Sequence, residues 1–298
     1  FSIDGGTVAA PPIAGGLYLV ATPIGNLGDM GLRALGVLAA ADLIACEDTR
    51  VTHRLTEHYG IATPLTPYHE HNAASARPHL LARLAAGDIV ALVSDAGTPL
   101  ISDRGARLVH AAVAAAIVVA PVPGASALLS ALVTSGLDAT RFTFFGFLTR
   151  AGSARRVELD DISKIEDTVV LYESANRLAD TLGELEERGN GERSVVVARE
   201  MTKQFEEVRR GTLSQLRAYY DDRPPRGEIV IVIGGAVRAA PSEEVVRERV
   251  LALRATGLSA KDAAALVADE LGVSKNVAYR LTQSGSTASR RDGGEVSE

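Results

Sequence analysis

From residue 17 onward, short apolar runs rich in Val, Ile, Leu and Ala alternate with stretches of helical period. The pattern predicts strands at 17–22, 43–47, 89–94 and 117–122, and helices near 32–40, 51–59, 74–86, 106–115 and 127–135. Strands that read as unbroken apolar runs are buried on both faces, so this half predicts a mostly parallel sheet covered by helices on both sides. A second alternation follows, with strands at 142–147, 168–174, 194–200, 205–211 and 227–235 and helices near 176–188 and 213–220. Asn176 is a candidate N-cap for the first of those helices and Gly189 a candidate stop. The break falls near 136–141, which divides the sequence into two α/β domains, 16–138 and 139–238, with mostly parallel or mixed sheets and a cleft between them.

From Pro241 the strand pattern stops. The segment 241–283 reads as three short helices: Ser259 stands three residues before Asp262 in capping-box spacing, Ser274 caps the third helix, and Gly272 makes the turn. This is a helix-turn-helix-like module, with a lid or dimer clasp as the alternative. The Gly-, Ala- and Pro-rich segment 1–15 is expected to be a disordered leader, and the polar segment 284–298 a disordered tail.

Composition narrows the class. A chain of 298 residues with 46% hydrophobic and 23% charged residues is that of a soluble globular protein. Its richest apolar segment, 108–132, is interrupted by Pro121, Pro123 and Gly124, so no membrane span and a cytoplasmic location are expected. The single cysteine, Cys46, excludes an internal disulfide and a Cys-based zinc site, and suits a reducing compartment. The net charge of −6 argues against general electrostatic coating of nucleic acid, but leaves room for a local basic groove. From residue 241 onward eight Lys or Arg face nine Asp or Glu, so charge does not mark the helical module for nucleic acid.

The strand tips carry the chemistry. After the strand at 89–94 the chain reads Ser94-Asp95-Ala96-Gly97-Thr98-Pro99, where small residues allow backbone to approach a ligand and Asp95 can accept from a ribose hydroxyl or an amino group. A tight turn capped by Asp is the plainer reading. No glycine-rich dinucleotide fingerprint and no P-loop stands in the expected context. Other tips read "TPIGNLGD", "CEDTR", "YESANR" and "AREMTK".

Taken with "HEHN", "VSDAGTPLISDRG", "PGASA", "FFGFL" and "GEIVIVI", this ordered set resembles the ribosomal RNA small-subunit methyltransferase I family of the tetrapyrrole methylase superfamily, over about residues 16–236. The trailing helices look like that family's C-terminal appendage. The resemblance implies a homodimeric enzyme that uses S-adenosyl-L-methionine to methylate the ribose 2′-hydroxyl of a cytidine in the decoding region of 16S rRNA, within the small ribosomal subunit. It also implies a cofactor cleft between the two α/β domains, with Asp95, Ala96, Gly97 and Thr98 as its loop and Pro23, Ser126, Tyr172, Ala198 and Ile229 at its walls. His69, His71, Asn72 and Asn26 are implied to meet the target nucleotide. The chain departs from the family pattern at Asp103-Arg104-Gly105, where Arg104 replaces the usual Pro.

Methyl transfer from a sulfonium needs donor and acceptor aligned, and a ribose hydroxyl needs a base within hydrogen-bond reach. Glu47 and Asp48, or Glu200 and Lys203, could supply it, and Asp48 or Glu47 could equally cap the following helix. Arg50 and the loop arginines Arg150, Arg155 and Arg156 are candidates for RNA phosphates, against pairing with neighbouring acids or simple solvation. His69 and His71 alternate as metal ligands do, but no second pair follows at a fitting interval, and no metal is expected. Two alternatives to an RNA methyltransferase stay open: a methyltransferase of a tetrapyrrole or other small acceptor, and a non-catalytic RNA-binding or ribosome-assembly protein.

Overall fold

The strands of the computed structural model, which describes residues 1–102, 106–236 and 241–283, are β1 (Ser2–Ile3), β2 (Gly6–Thr7), β3 (Gly16–Val20), β4 (Leu43–Cys46), β5 (Leu65–Pro67), β6 (Ile89–Val93), β7 (Val119–Val122), β8 (Phe142–Phe147), β9 (Thr168–Ser174), β10 (Ser194–Arg199), β11 (Glu207–Thr212) and β12 (Glu228–Ile233). The helices are α1 (Leu32–Ala40), α2 (Thr49–His58), α3 (Ala73–Ala85), α4 (Ala106–Ala114), α5 (Ala127–Ser135), α6 (Gly152–Lys164), α7 (Leu178–Leu185), α8 (Leu213–Asp222), α9 (Glu243–Ala255), α10 (Ala260–Leu271) and α11 (Lys275–Gln283). They fall into two compact units, one over 1–236 and a second described over 241–283.

The first sheet has the order β5-β4-β6-β3-β7 with every pair parallel. Alternate residues of its apolar runs serve two cores. Tyr18, Val20, Ile44, Cys46 and Val93 pack with Leu35 and Leu38 of α1 on one face. Leu17, Leu43, Val90 and Leu92 pack with Leu80 and Leu84 of α3 and Leu108 of α4 on the other. All carboxyl ends therefore open on one edge.

The second sheet, β11-β10-β12-β9-β8, is antiparallel except between β8 and β9. One face carries Leu171, Val197 and Ile231 against Leu159 of α6, Leu182 of α7 and Leu216 of α8. The other face, with Val170, Val196, Val230 and Val232, packs on Leu128, Ala131 and Leu132 of α5. Helix α5 thus follows the last parallel strand yet covers the second sheet, and it ties the two halves together. Ser126 caps its start, and Gly136 ends it in the left-handed region at φ 78°.

Four expectations are corrected. Residues 1–7 are not a loose leader: β1 and β2 form a hairpin, Phe1 and Ile3 pack on the first core, and Ser2 N–H donates to the Tyr59 carbonyl at 2.7 Å. Residues 152–156 are not loop but the first turns of α6, whose buried Arg155, Leu159 and Ile162 share one face. The short strand β5 escaped the pattern because only three residues pair. Asn176 lies inside a 3-10 turn and makes no cap to α7, whereas Gly189, at φ 81°, does break the helical path. Arg104 and the segment 284–298 lie outside the described residues.

In the second unit, Val246, Val250, Ala264, Val267, Ala278 and Leu281 make a small core of their own. Ser259 accepts from Asp262 N–H at 3.1 Å, Ser274 accepts from Val277 N–H at 3.2 Å, and Gly272 takes the left-handed turn between α10 and α11. No helix among the described residues is long and apolar enough to cross a membrane.

Candidate active site

Parallel pairing brings the turns after β3, β4, β6 and β7 to one edge, and hydrogen bonds lock them into a single wall. Thr22 and Gly97 exchange backbone bonds of 2.9 and 3.0 Å, the Thr22 hydroxyl donates to the Ser94 carbonyl at 3.2 Å, and the Thr98 hydroxyl donates to the Ala125 carbonyl at 3.1 Å. Gly97 holds φ +79°, where a Cβ would stand 3.2 Å from Ile24 Cγ2 and 3.6 Å from the Ala125 oxygen.

Against this wall lies a cavity of about 360 Å³. Ala96, Gly97, Thr98, Ser126 and Ala127 line it from the parallel half, and Tyr172, Ser174, Ala175, Met201, Ile229 and Val230 from the second sheet. The Tyr172 hydroxyl accepts from Leu128 N–H at 3.2 Å, and its ring meets those of Phe144 and Phe147 at centroid distances of 5.0 and 5.5 Å. The lining is mainly apolar with a few oriented polar groups, as small-molecule sites are.

A second cavity of about 560 Å³ adjoins it, lined by Thr22, Pro23, Gly25, Thr52, Asp95 and Lys203 among others, and shares Ile24, Ala96 and Glu228 with the first. The Asp95 carboxylate accepts from Asp48 N–H at 2.9 Å. Asp95 is exposed as a residue, and partial desolvation of its carboxylate at the cavity wall, helped by the charge of Asp48, raises its pKa above the usual carboxylate value despite that hydrogen bond and the nearby Arg50 charge. Lys203 donates to Glu200 at 2.8 Å and Glu228 at 2.9 Å. Burial works against its charge, but the hydrogen bonds to both carboxylates prevail and its pKa is raised. Lys203 is therefore a fixed cation and a poor base. The same lysine holds the Glu200 carboxyl below its ordinary value. The cluster is tightly built: Glu200 adopts φ 51°, and a Cβ on Gly25 would overlap the Lys203 stem.

The remaining candidates separate. Asp48 caps α2, accepting from Arg50 N–H at 2.8 Å, and its ion pair with Arg50 at 2.6 Å lowers its pKa to about 2. Arg50 is 87% exposed and lines a shallow depression on α2 that shares Arg54 with the second cavity, but it lines neither cavity itself. Glu47 is exposed at the tip of β4. Asn26 accepts from Gly28 N–H at 2.9 Å and caps a 3-10 turn. His69 and Asn72 close a loop on themselves, with Asn72 accepting from His69 N–H and donating to the Pro67 carbonyl, both at 2.8 Å; the His69 and His71 rings lie 6.0 Å apart. None of these lines either cavity.

Ala198 is fully buried in the core between α5 and the second sheet and lines neither cavity. Arg150 and Arg156 are exposed, but Arg155 points inward: it donates to Glu184, Thr181 and the Thr149 carbonyl at 2.7, 2.9 and 3.2 Å. That geometry removes Arg155 from the phosphate contacts. Cys46 is buried and burial raises its pKa, the state of a core residue. Among the described residues no group of three or more His, Cys, Asp or Glu is placed to hold a metal.

Sequence reasoning missed Ile24, Thr52, Met201 and Glu228. Glu228 gave the clearest available signal, as an acid opening an otherwise apolar strand, but its partners Glu200 and Lys203 follow from the pairing of β12 with β10, in which Arg199 stands opposite Ile229.

Residues 16–217 match the family of Tetrapyrrole (Corrin/Porphyrin) Methylases, and residues 239–284 match the RsmI C-terminal HTH domain. The chain is 46% identical over 289 residues to a ribosomal RNA small subunit methyltransferase I from Mesorhizobium japonicum, spanning 96% of this chain and 98% of that one. It is 47% identical to the protein of that name from Synechocystis, over 89% of this chain and 96% of the other. Among solved structures, a cobalt precorrin-4 methyltransferase superimposes with a TM-score of 0.58 at 18% identity, covering 73% of this chain and 94% of its own. Uroporphyrin-III C-methyltransferase from Thermus thermophilus, complexed with S-adenosylhomocysteine, gives 0.54 at 21% identity, covering 74% and 97%. Both likenesses are of fold.

Proposed function

Because the chain belongs to the tetrapyrrole methylase family, and within it to the ribosomal RNA small subunit methyltransferases I, we propose that it transfers a methyl group from S-adenosylmethionine to a ribose 2′-hydroxyl of a cytidine in the decoding region of 16S rRNA. The observation that carries this reading is the pair of cavities divided by Ile24, Ala96 and Glu228: one mainly apolar and enclosed by both sheets, the other lined by the acids Asp95 and Glu228 and the cations Lys203 and Arg54. The first fits the donor. Its volume is of small-ligand size, the backbone at Gly97 permits close approach where a side chain would intrude, and Tyr172 and Ile229 offer faces for a base. When bound, S-adenosylmethionine supplies an electrophilic methyl carbon.

In the second cavity Asp95 is the proton acceptor of this reading. A carboxylate with a raised pKa is a better base than Asp48 or Glu200, both held low by their cations. Lys203, clamped by Glu200 and Glu228, orients or screens the acceptor rather than taking its proton. We also propose a homodimer, in which a second copy covers α5 where Leu129 and Val133 stand 50% and 73% exposed on one side of the helix, and activity in the cytoplasm, where small subunits are found. The test incubates the protein with methyl-labelled S-adenosylmethionine and, in separate reactions, unmethylated small subunits, free 16S RNA and a porphyrinoid. Label in RNA supports the reading; label in the porphyrinoid alone overturns it.

A further inference from the structure

The loop after β5 holds groups that the two cavities leave unused. Tyr68 is 4% exposed, yet among the described residues its hydroxyl has no hydrogen-bond partner, and neither has His69 Nδ1. Buried polar atoms rarely stay unpaired unless something else satisfies them. Two guanidinium groups lie close enough to act on the Tyr68 phenol: those of Arg77 in the second turn of α3 and Arg107 in the first turn of α4. Neither arginine has a carboxylate partner among the described residues, in contrast to Arg50, Arg83 and Arg155.

The fold explains the convergence. In a parallel sheet each following helix starts at the carboxyl edge, so the starts of α3 and α4 lie on the same edge as Tyr68. The loop is preformed by the bonds among His69, Asn72 and Pro67. Glu70 of the same loop is exposed and has an interaction of its own.

We propose that Tyr68, Arg77 and Arg107, with His69 beside them, form a subsite for a backbone phosphate of the RNA, flanking the nucleotide that is methylated. Two cations and a phenolic donor match a phosphodiester, and arginine is suited to its oxygens. The position agrees. Pro67 and Val93 are level through their common pairing with Cys46, with one strand between them, so the loop stands roughly 10 Å along the sheet from the Asp95 turn. An RNA strand entering the second cavity spans that distance within a few nucleotides. The inference rests on the proposed RNA methyltransferase reading and extends it to the neighbouring backbone.

The test uses the full-length protein, unmethylated small subunits and three variants: Arg77→Ala/Arg107→Ala, Tyr68→Phe, and Arg83→Ala as a surface control. The double variant should raise KM for subunits about tenfold with kcat and S-adenosylmethionine affinity held, and lower the log–log salt slope of subunit binding by about one for each phosphate no longer neutralised. Tyr68→Phe removes an unpaired buried hydroxyl, so thermal stability should hold or rise while subunit affinity falls, a combination a purely structural tyrosine would not give. Unchanged KM and salt slope in the double variant, with wild-type protein still methylating subunits, overturns the subsite and spares the activity. Failure of the wild type to methylate any RNA overturns the reading beneath it.

Discussion

Replacing Gly97 by alanine separates the fold's requirement from the site's. At φ +79° an L-residue costs about 1–2 kcal/mol relative to glycine. The added Cβ would stand 3.2 Å from Ile24 Cγ2, so Ile24 has to give by a few tenths of an ångström, while the 3.6 Å approach to the Ala125 oxygen is ordinary contact. The strain term therefore dominates, and the midpoint of thermal unfolding should fall by roughly 2–8 °C for a unit of this size. Most of a typical stability of about 5–15 kcal/mol survives, so the variant stays folded. The same methyl intrudes beside the cavity assigned to the donor, and S-adenosylmethionine affinity should fall about tenfold, equivalent to about 1.4 kcal/mol. Differential scanning fluorimetry without ligand gives the first quantity and titration calorimetry the second. A stability loss with affinity kept within twofold would show that the Ala96–Thr98 turn is a structural feature only, and that the donor lies elsewhere.

Asp95→Asn should lower kcat about a hundredfold or more with donor affinity intact, since a general base contributes on that scale. Because the base has to be ionised, wild-type kcat should fall on the acid side through a pKa above that of an ordinary aspartate, and the variant should lose this limb; an unchanged pH profile would exclude Asp95. Arg155→Met should destabilise the protein by about 2–3 kcal/mol, less than for a wholly buried pair because Glu184 is 39% exposed, and leave the salt slope of subunit binding alone, as denaturant titration and filter binding would report. Asp48 is ionised far below its unfolded pKa, so its contribution is complete above about pH 4 and disappears as pH falls toward 2; Asp48→Asn should remove that part of the acid transition. An acidic protein has little nonspecific pull on a polyanion, so assembled small subunits should be methylated faster than naked 16S RNA, and equal rates would show that folded shape is not read. Light scattering at low micromolar concentration should return a dimer, and Val133→Glu should dissociate it.

The parallel half was readable because buried strands and amphipathic helices leave long periodic signals: the segments 32–40 and 127–135 coincide with α1 and α5. The hairpin of β1 and β2 was not, because Gly- and Pro-rich segments give no period and the anchoring of Phe1 and Ile3 is tertiary. Arg155 shows the same limit at the site. In sequence it stands between Ala154 and Arg156 in what reads as a basic loop, and only the turn of α6 sends it inward to Thr181 and Glu184 while Arg156 stays exposed. The strand-tip motifs of the first half fall together on one edge of the parallel sheet, but which carboxylate is free to act follows from pairing. Asp48 is bound by Arg50 and Glu200 by Lys203, whereas Asp95 meets a backbone amide and an open cavity. Such pairing depends on distances that adjacent letters do not encode.

The central claim is that donor and acceptor occupy neighbouring cavities across the wall of Ile24, Ala96 and Glu228. A crystal structure with S-adenosylhomocysteine tests it most directly. The account predicts the adenosine between the Ala96–Thr98 turn, Tyr172 and Ile229, with the sulfur directed toward the cavity that holds Asp95 and Lys203. Density in any other place, or a sulfur turned away from Asp95, would contradict it.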